Sequence, residues 1–279
     1  MNPWLLAARP KTLAAAVVPV LVGFSLARFA HWPSFWLALG GAVFIQIGTN
    51  YVNDALDFRK GADTHERLGP LRVTQGGLLS AEAVLRGAIV CFALAALCGV
   101  PLIVRGGWPI VAIGVTSIAA AYAYTGGPYP LAYHGLGELF VMVFFGIVAV
   151  SGTYYLQVLH FDRNALVAGV ACGALAIVLL AINNLRDLEN DRASNKRTLA
   201  ARFGRGFARV EIVLMALVPF ALLPRGFRGV LFVAPLALLV IVCALRSSGR
   251  ALNRCLAFAG MLEWAFGIAF VICGSGATR

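Results

Sequence analysis

Nine apolar runs, near positions 12 to 30, 35 to 52, 83 to 104, 108 to 124, 137 to 156, 165 to 185, 208 to 224, 229 to 245 and 252 to 273, take up most of this 279-residue chain. Most approach the roughly 20 residues that a helix needs to cross a bilayer. Backbone N–H and C=O groups cannot stay unpaired in hydrocarbon, so runs this long are expected to cross as helices. With 60% hydrophobic and 13% charged residues, the chain is also more apolar than a soluble core requires. The expected class is all-α, a polytopic membrane helical bundle of about nine transmembrane helices. The first run contains Pro19, lacks a cleavage site and is followed by runs like itself, so it reads as a retained span and not as a signal peptide.

Nine crossings would put 17 of the 23 Lys and Arg residues on the side of the N-terminus. Only Arg28, Arg105, Arg163, Arg225, Arg228 and Arg279 fall on the other side. The positive-inside rule then places the N-terminus in the cytoplasm of a bacterial-type inner membrane. The net charge of +11 is mostly this asymmetry. No soluble domain carries it, so nucleic acid is not an expected partner. The six cysteines lie in or beside apolar runs and read as small hydrophobes, and His31, His65, His134 and His160 are too scattered to hold a metal ion.

Two polar segments end apolar runs: Asn50-Tyr-Val-Asn53-Asp54-Ala-Leu-Asp57 and Asn183-Asn-Leu-Arg186-Asp187-Leu-Glu189-Asn190-Asp191. Seven of only 12 acidic residues, Asp54, Asp57, Asp63, Glu66, Asp187, Glu189 and Asp191, fall within or just after them. On a helix, Asn50, Asn53, Asp54 and Asp57 share one stripe, as do Asn183, Asp187, Asn190 and Asp191, while Glu189 points off it. An Asp at bilayer depth costs about 2.5 to 3.5 kcal/mol on insertion scales, so such groups need a water-filled cavity, a cation or a partner. A central cavity open to the cytoplasmic side is expected between the two stripes.

Asn50 and Asn183, Asp54 and Asp187, and Arg59 and Arg192 are each 133 residues apart, while Asp57 and Asp191 slip by one. The chain is expected to form one domain over 1–279, with an internal duplication of halves at about 1–130 and 131–279. Each motif leads into a polar loop, 58 to 80 or 192 to 206, which reads either as a lid or as a basic anchor on anionic lipid. A third irregular stretch, Tyr124 to Glu138, reads either as a further wall of the cavity or as a tight connection with interfacial tyrosines.

Clustered carboxylates and amide carbonyls without His or Cys make a hard-oxygen site suited to Mg²⁺. Mg²⁺ takes one or two protein carboxylates and completes its octahedron with water and phosphate oxygens. Arg59, Lys60, Arg67, Arg72, Arg192, Lys196 and Arg197 are near in sequence to meet the remaining phosphate charge. A diphosphate head beside an apolar bundle describes a polyprenyl diphosphate, which would react by loss of diphosphate and attack of an electron-rich acceptor on the allylic carbon.

The two Asp-rich segments resemble the paired motifs of the UbiA superfamily of intramembrane prenyltransferases. Arg9-Pro-Lys-Thr-Leu13, Lys60-Gly-Ala-Asp63, Arg67-Leu-Gly-Pro-Leu-Arg72, Tyr124-Thr-Gly-Gly-Pro128, Leu136-Gly-Glu138 and Lys196-Arg-Thr-Leu-Ala200 resemble its MenA branch, 1,4-dihydroxy-2-naphthoate polyprenyltransferase of menaquinone synthesis. Gly61 stands where many members carry a further Asp, Gly126-Gly-Pro replaces a basic pair, and Asn195 stands for an expected Gly and accepts the same left-handed backbone.

The resemblance implies that Asn50, Asn53, Asp54, Asp57, Asp187 and Asp191 hold Mg²⁺ and diphosphate, the four aspartates being the catalytic set. It implies that Arg72, Lys196 and Arg197 bind phosphate, with Asn183 and Arg186 in support and Tyr124 at the substrate. Arg9, Lys11, Tyr124 and Glu138 are the candidates to meet an acidic aromatic acceptor. The implied partners are polyprenyl diphosphate, the aromatic acceptor and membrane lipid, with no obligate protein partner. The alternatives are another acceptor, such as 4-hydroxybenzoate, or a cation-coupled transporter, whose carboxylates would lie near mid-span.

Overall fold

Asn2 caps the first helix, α1 (Pro3–Ala8), by accepting from the Trp4 N–H at 2.9 Å, and Pro3 supplies a φ already suited to a first turn. Arg9 then takes a left-handed backbone (φ 51°), a short 3₁₀ turn spans Pro10–Thr12, and α2 (Ala14–Ser25) leaves at 49° to what precedes it. This elbow faces the site described below. The computed structural model describes residues 2–27, 29–63, 68–223 and 225–277. Arg28, His65, Glu66, Arg67 and Arg279 lie outside the described residues.

All described elements are helical. After the elbow come α3 (Trp32–Arg59), α4 (Ala81–Gly106) and α5 (Trp108–Ala123). The next span begins as α6 (Gly137–Val141), widens into a π-helical stretch over Met142–Val148 and resumes as α7 (Ala149–Val158). Then follow α8 (Arg163–Arg186), the short α9 (Leu188–Ala193), α10 (Leu199–Ala221), α11 (Ala234–Arg246) and α12 (Leu252–Ala277). Among the described residues, each of the nine expected apolar runs falls mostly on helix. Six helical segments are long and apolar enough to cross a membrane, and the bent first pair makes a seventh if counted as one span. Of the other two runs, one forms the 16-residue α5 and the other lies in α10, which carries Arg205, Arg209 and Glu211.

Helix α8 is the centre of the bundle, buried along most of its length against α2, the π-helical stretch, α10 and α12. Glycine makes that packing possible. A Cβ on Gly146 would lie 2.4 Å from the Gly169 carbonyl oxygen and 2.7 Å from the Gly173 Cα, so the two backbones meet with no side chain between them.

The cysteines depart from expectation at one pair: Cys243 and Cys255 form a disulfide. They sit 12 residues apart on antiparallel α11 and α12, and the tight turn between these helices brings them face to face. Cys91, Cys98, Cys172 and Cys273 are free. His31 caps α3, and His134 stacks on Tyr129.

Candidate active site

Helix α3 has 28 residues and is therefore about 42 Å long, against about 30 Å of hydrocarbon in a typical bilayer. Its surplus is the polar C-terminal stripe. Asn50 is buried and donates to the Ala8 carbonyl at 2.9 Å and to the Thr12 hydroxyl at 3.2 Å, which ties α3 to the elbow. Asn53 accepts from the Thr125 hydroxyl. Asp54 is turned to the following loop, with one oxygen accepting from the Val73 N–H (3.2 Å) and the other from the Thr74 N–H (2.9 Å).

Asp57 lies at the centre of a cluster drawn from four segments. Its Oδ1 accepts from the Tyr133 hydroxyl at 2.9 Å. Its Oδ2 lies 3.5 Å from a guanidinium nitrogen of Arg72 and 3.5 Å from the Lys196 ammonium. Arg72 is also 3.3 Å from Asp63, and its Nη1 is buried without a hydrogen-bond partner among the described residues. Lys60 donates to the Thr125 carbonyl at 2.6 Å and stands 4.5 Å above the Tyr133 ring, with Lys196 5.3 Å from the same ring.

The second motif breaks its helix at Asp187, where α8 gives way to α9. Arg186 grips Asp187 with two bonds of 2.8 and 2.6 Å and reaches Asn253 on α12 at 2.9 Å. Arg186 and Asp187 line a cleft of about 300 Å³ between α9, α10 and the turn at 247–249. Asp191 is buried and accepts from the Thr198 hydroxyl at 3.3 Å. Asn195 has the left-handed backbone (φ 56°) expected of it, and the turn there sends Lys196 inward to Asp57.

Burial pushes the Asp191 carboxyl up to about 7, opposed by the Lys196 ammonium and reinforced by Asp187 and Asp57. Burial also pulls the Lys60 ammonium below its ordinary value, with Asp57 opposing, and pushes the Tyr124 and Tyr133 phenols up. The two motifs therefore feel each other's charge.

Of the residues singled out from sequence, Asp57, Arg72, Lys196 and Asp191 come together. Asn183 bonds back to its own helix at Leu179, Arg197 is exposed beside Asn195, and Glu189 is a surface group paired with Arg205. Tyr124 packs on Phe140 at 5.2 Å, next to the buried Glu138, which accepts from Asn184 at 2.9 Å. Tyr133, Thr125 and Thr198 lie in stretches the sequence singled out but were given no role of their own, because each arrives from a loop with no periodic signal. Among the described residues no three carboxylate, imidazole or thiol groups form a ready metal cage.

An apolar cavity of about 280 Å³ runs between α2, α3, α4, α5 and the π-helical span. Its lining includes many small side chains, among them Ala38, Gly41, Ala42, Ala95 and Gly99. Gln46 and Thr49 line it too, and Gln46 donates to Thr12 at 3.4 Å, the same hydroxyl that holds Asn50. The cavity therefore ends at the polar stripe of α3.

The chain is similar to known proteins. The chain is 42% identical over 221 residues to the 1,4-dihydroxy-2-naphthoate octaprenyltransferase of Mycobacterium tuberculosis, covering 78% of this chain and 75% of that relative. It is 39% identical over 215 residues to the protein of that name from Escherichia coli, covering 74% and 70%. A UbiA homolog from Archaeoglobus fulgidus, solved bound to DMAPP and Mg²⁺, superposes over 98% of this chain and 99% of its own with a TM-score of 0.70 at 15% identity. The apo UbiA homolog from Aeropyrum pernix K1 does so over 95% and 98%, with a TM-score of 0.73 at 16% identity. These two likenesses establish the fold, that of an integral membrane bundle. Residues 16–265 match the UbiA prenyltransferase family, and the chain belongs to that family.

Proposed function

We propose that this protein transfers a polyprenyl group from polyprenyl diphosphate to 1,4-dihydroxy-2-naphthoate, releasing diphosphate and CO₂ and giving demethylmenaquinol for menaquinone synthesis. The observation that carries the reading is an apolar cavity that ends at the start of the α3 polar stripe, the same stripe whose far end holds the cluster of Asp57, Arg72 and Lys196. A lipid tail and a diphosphate head need these two environments side by side. The acceptor is supported by relatives at 38 to 42% identity that bear its name.

The donor set fits Mg²⁺. It offers hard oxygens only, and Arg72 and Lys196 stand at 3.5 Å from Asp57 Oδ2, well beyond the roughly 2.7 to 2.9 Å of a tight charge-assisted bond. They neutralise that oxygen without sealing it. Asp57 and Asp191 would hold the metal, with Asn50, Asn53, Asp54 and Asp187 shaping the site around them. When bound, Mg²⁺ supplies neutralisation of the leaving diphosphate. The UbiA homologs solved with DMAPP or GPP and Mg²⁺ support this use of a divalent ion.

Arg72 and Lys196 bind the diphosphate and take up its charge as the bond from oxygen to the allylic carbon breaks. The cavity wall keeps water from that carbon and orients the tail. Tyr124 and Glu138 border the acceptor, whose ring forms the new bond and then loses its carboxylate as CO₂. The motifs face the cytoplasm of a bacterial-type inner membrane in this reading, as the basic residues argue.

The test is incubation of purified protein with Mg²⁺, a polyprenyl diphosphate and 1,4-dihydroxy-2-naphthoate, with 4-hydroxybenzoate as rival, followed by mass spectrometry of product and CO₂. Prenylated, decarboxylated naphthol is expected, and Asp57→Asn should abolish it. Product from the rival alone would move the acceptor. Product from neither would remove the proposal.

A further inference from the structure

Tyr133 belongs to none of the Asp-rich segments, yet it meets Asp57, Lys60 and Lys196 of the cluster. Its hydroxyl donates to Asp57 Oδ1 at 2.9 Å. Its ring is approached by Lys60 at 4.5 Å and by Lys196 at 5.3 Å. Its carbonyl accepts from the Arg197 N–H at 3.1 Å, which anchors the segment that carries Lys196. The residue lies on a short 3₁₀ turn, Leu131–His134, closed by Gly135 with φ 72°. A Cβ at Gly135 would stand 3.0 Å from the Arg197 carbonyl oxygen, so this turn and the segment after α9 are in close contact.

These contacts divide the two oxygens of Asp57 between different tasks. Oδ1 accepts a 2.9 Å bond from the phenol, while among the described residues Oδ2 faces the two more loosely placed cationic groups. A carboxylate free to rotate would offer either oxygen to a metal and lose orientational freedom on binding it. One pinned by a hydrogen bond offers a single oxygen in a fixed direction, and such outer partners carry about 10- to 100-fold in metal affinity. The ring adds a second function. Lys196 is 5.3 Å from the ring centroid and 3.5 Å from Oδ2, so with a divalent ion on Oδ2 the π face would still offer that ammonium a seat at the phosphate.

We propose that Tyr133 is a positioning residue of this enzyme: its hydroxyl fixes Asp57 so that Oδ2 alone meets the metal, and its ring holds Lys60 and Lys196 at the diphosphate subsite. The proposal deepens the prenyltransferase reading and rests on its metal and diphosphate subsite, but not on the identity of the acceptor.

Two variants separate hydroxyl from ring. Binding of Mn²⁺ is followed by electron paramagnetic resonance in the presence of an unreactive prenyl thiodiphosphate, with no acceptor added, and turnover is measured in parallel against Mg²⁺ concentration. Tyr133→Phe keeps the ring and is expected to weaken Mn²⁺ binding about tenfold. Its turnover should be largely restored by excess Mg²⁺, with the KM for prenyl diphosphate unchanged once metal is saturating. Tyr133→Leu should show the same metal defect and, in addition, raise that KM about fivefold even at saturating Mg²⁺. A general loss of structure would not be rescued by metal in one variant and leave a selective KM defect in the other. Wild-type Mn²⁺ affinity in Tyr133→Phe overturns the proposal, and so does an equal KM for both variants. If the wild-type protein binds Mn²⁺ with the thiodiphosphate, loses that affinity in Tyr133→Phe, and yet fails to prenylate the naphthoate, the positioning role stands and the assigned acceptor falls.

Discussion

Asp54 accepts from the backbone N–H of Thr74 at 2.9 Å, so the first aspartate of the α3 motif fastens the loop that follows the helix. Its other oxygen takes the Val73 N–H, and both contacts are buried. That loop carries Arg72 to Asp57. The two aspartates are therefore expected to respond differently to the same substitution. Asp54→Asn points an amide N–H at a backbone N–H and leaves a buried donor unpaired, at about 1 to 3 kcal/mol. Thermal unfolding in detergent should show a lower Tm for Asp54→Asn, and limited proteolysis should cut within 68–80. Asp57→Asn should lose turnover while that loop stays protected. An Asp54→Asn protein with wild-type Tm and an intact loop would contradict this division.

The metal requirement should depend on pH through Asp191. Its carboxyl is raised to about 7 from an ordinary 3.8, so between about pH 4 and pH 7 the metal-free folded chain holds a proton that the unfolded chain gives up. Stability of the metal-free protein should therefore fall as pH rises through that window. Divalent ions compete with the same proton. At pH 6 about one molecule in ten has Asp191 ionised, so affinity for Mn²⁺ should drop about tenfold from pH 8 to pH 6. Asp191→Asn should weaken binding and flatten the profile. A wild-type affinity that is constant over this range would count against Asp191 as a ligand.

The apolar cavity can be filled where a side chain is missing. A Cβ on Gly114 meets nothing within 4 Å, and Gly114 lines the cavity. Gly114→Leu should fold without strain and gain about 1 kcal/mol in helix propensity. It should raise the KM for long polyprenyl diphosphates several-fold while leaving short allylic diphosphates little changed. Steady-state kinetics across a chain-length series reads this directly, and equal effects on all lengths would place the tail elsewhere.

What the sequence made legible was local. Span length and the spacing of Asn50, Asn53, Asp54 and Asp57 are properties of a single helix, and they located α3, α8 and their polar ends. Sharing a stripe did not mean sharing a task, because a loop that arrives later in the chain fastens its backbone to Asp54 and brings only a side chain, Arg72, to Asp57. Lys196 and Arg197 look equivalent in the sequence, yet the left-handed turn at Asn195 sends Lys196 inward and leaves Arg197 exposed. Tyr133 meets Asp57 across 76 residues of chain, through a connection shaped by Gly127 and Gly135, and no periodicity reports such a meeting. The Cys243–Cys255 bridge was hidden for a similar reason, since it depends on the tightness of one turn.

The Ala- and Gly-rich part of the cavity lining has a thermodynamic consequence of its own. Ala38, Gly41, Ala42, Ala95, Ala96 and Gly99 have no side-chain torsions that could freeze when the space is filled. Along these residues, the conformational entropy lost on association is borne by the flexible guest and scarcely by its host. Contact made there is therefore offset by the ordering of the guest and hardly at all by that of the wall.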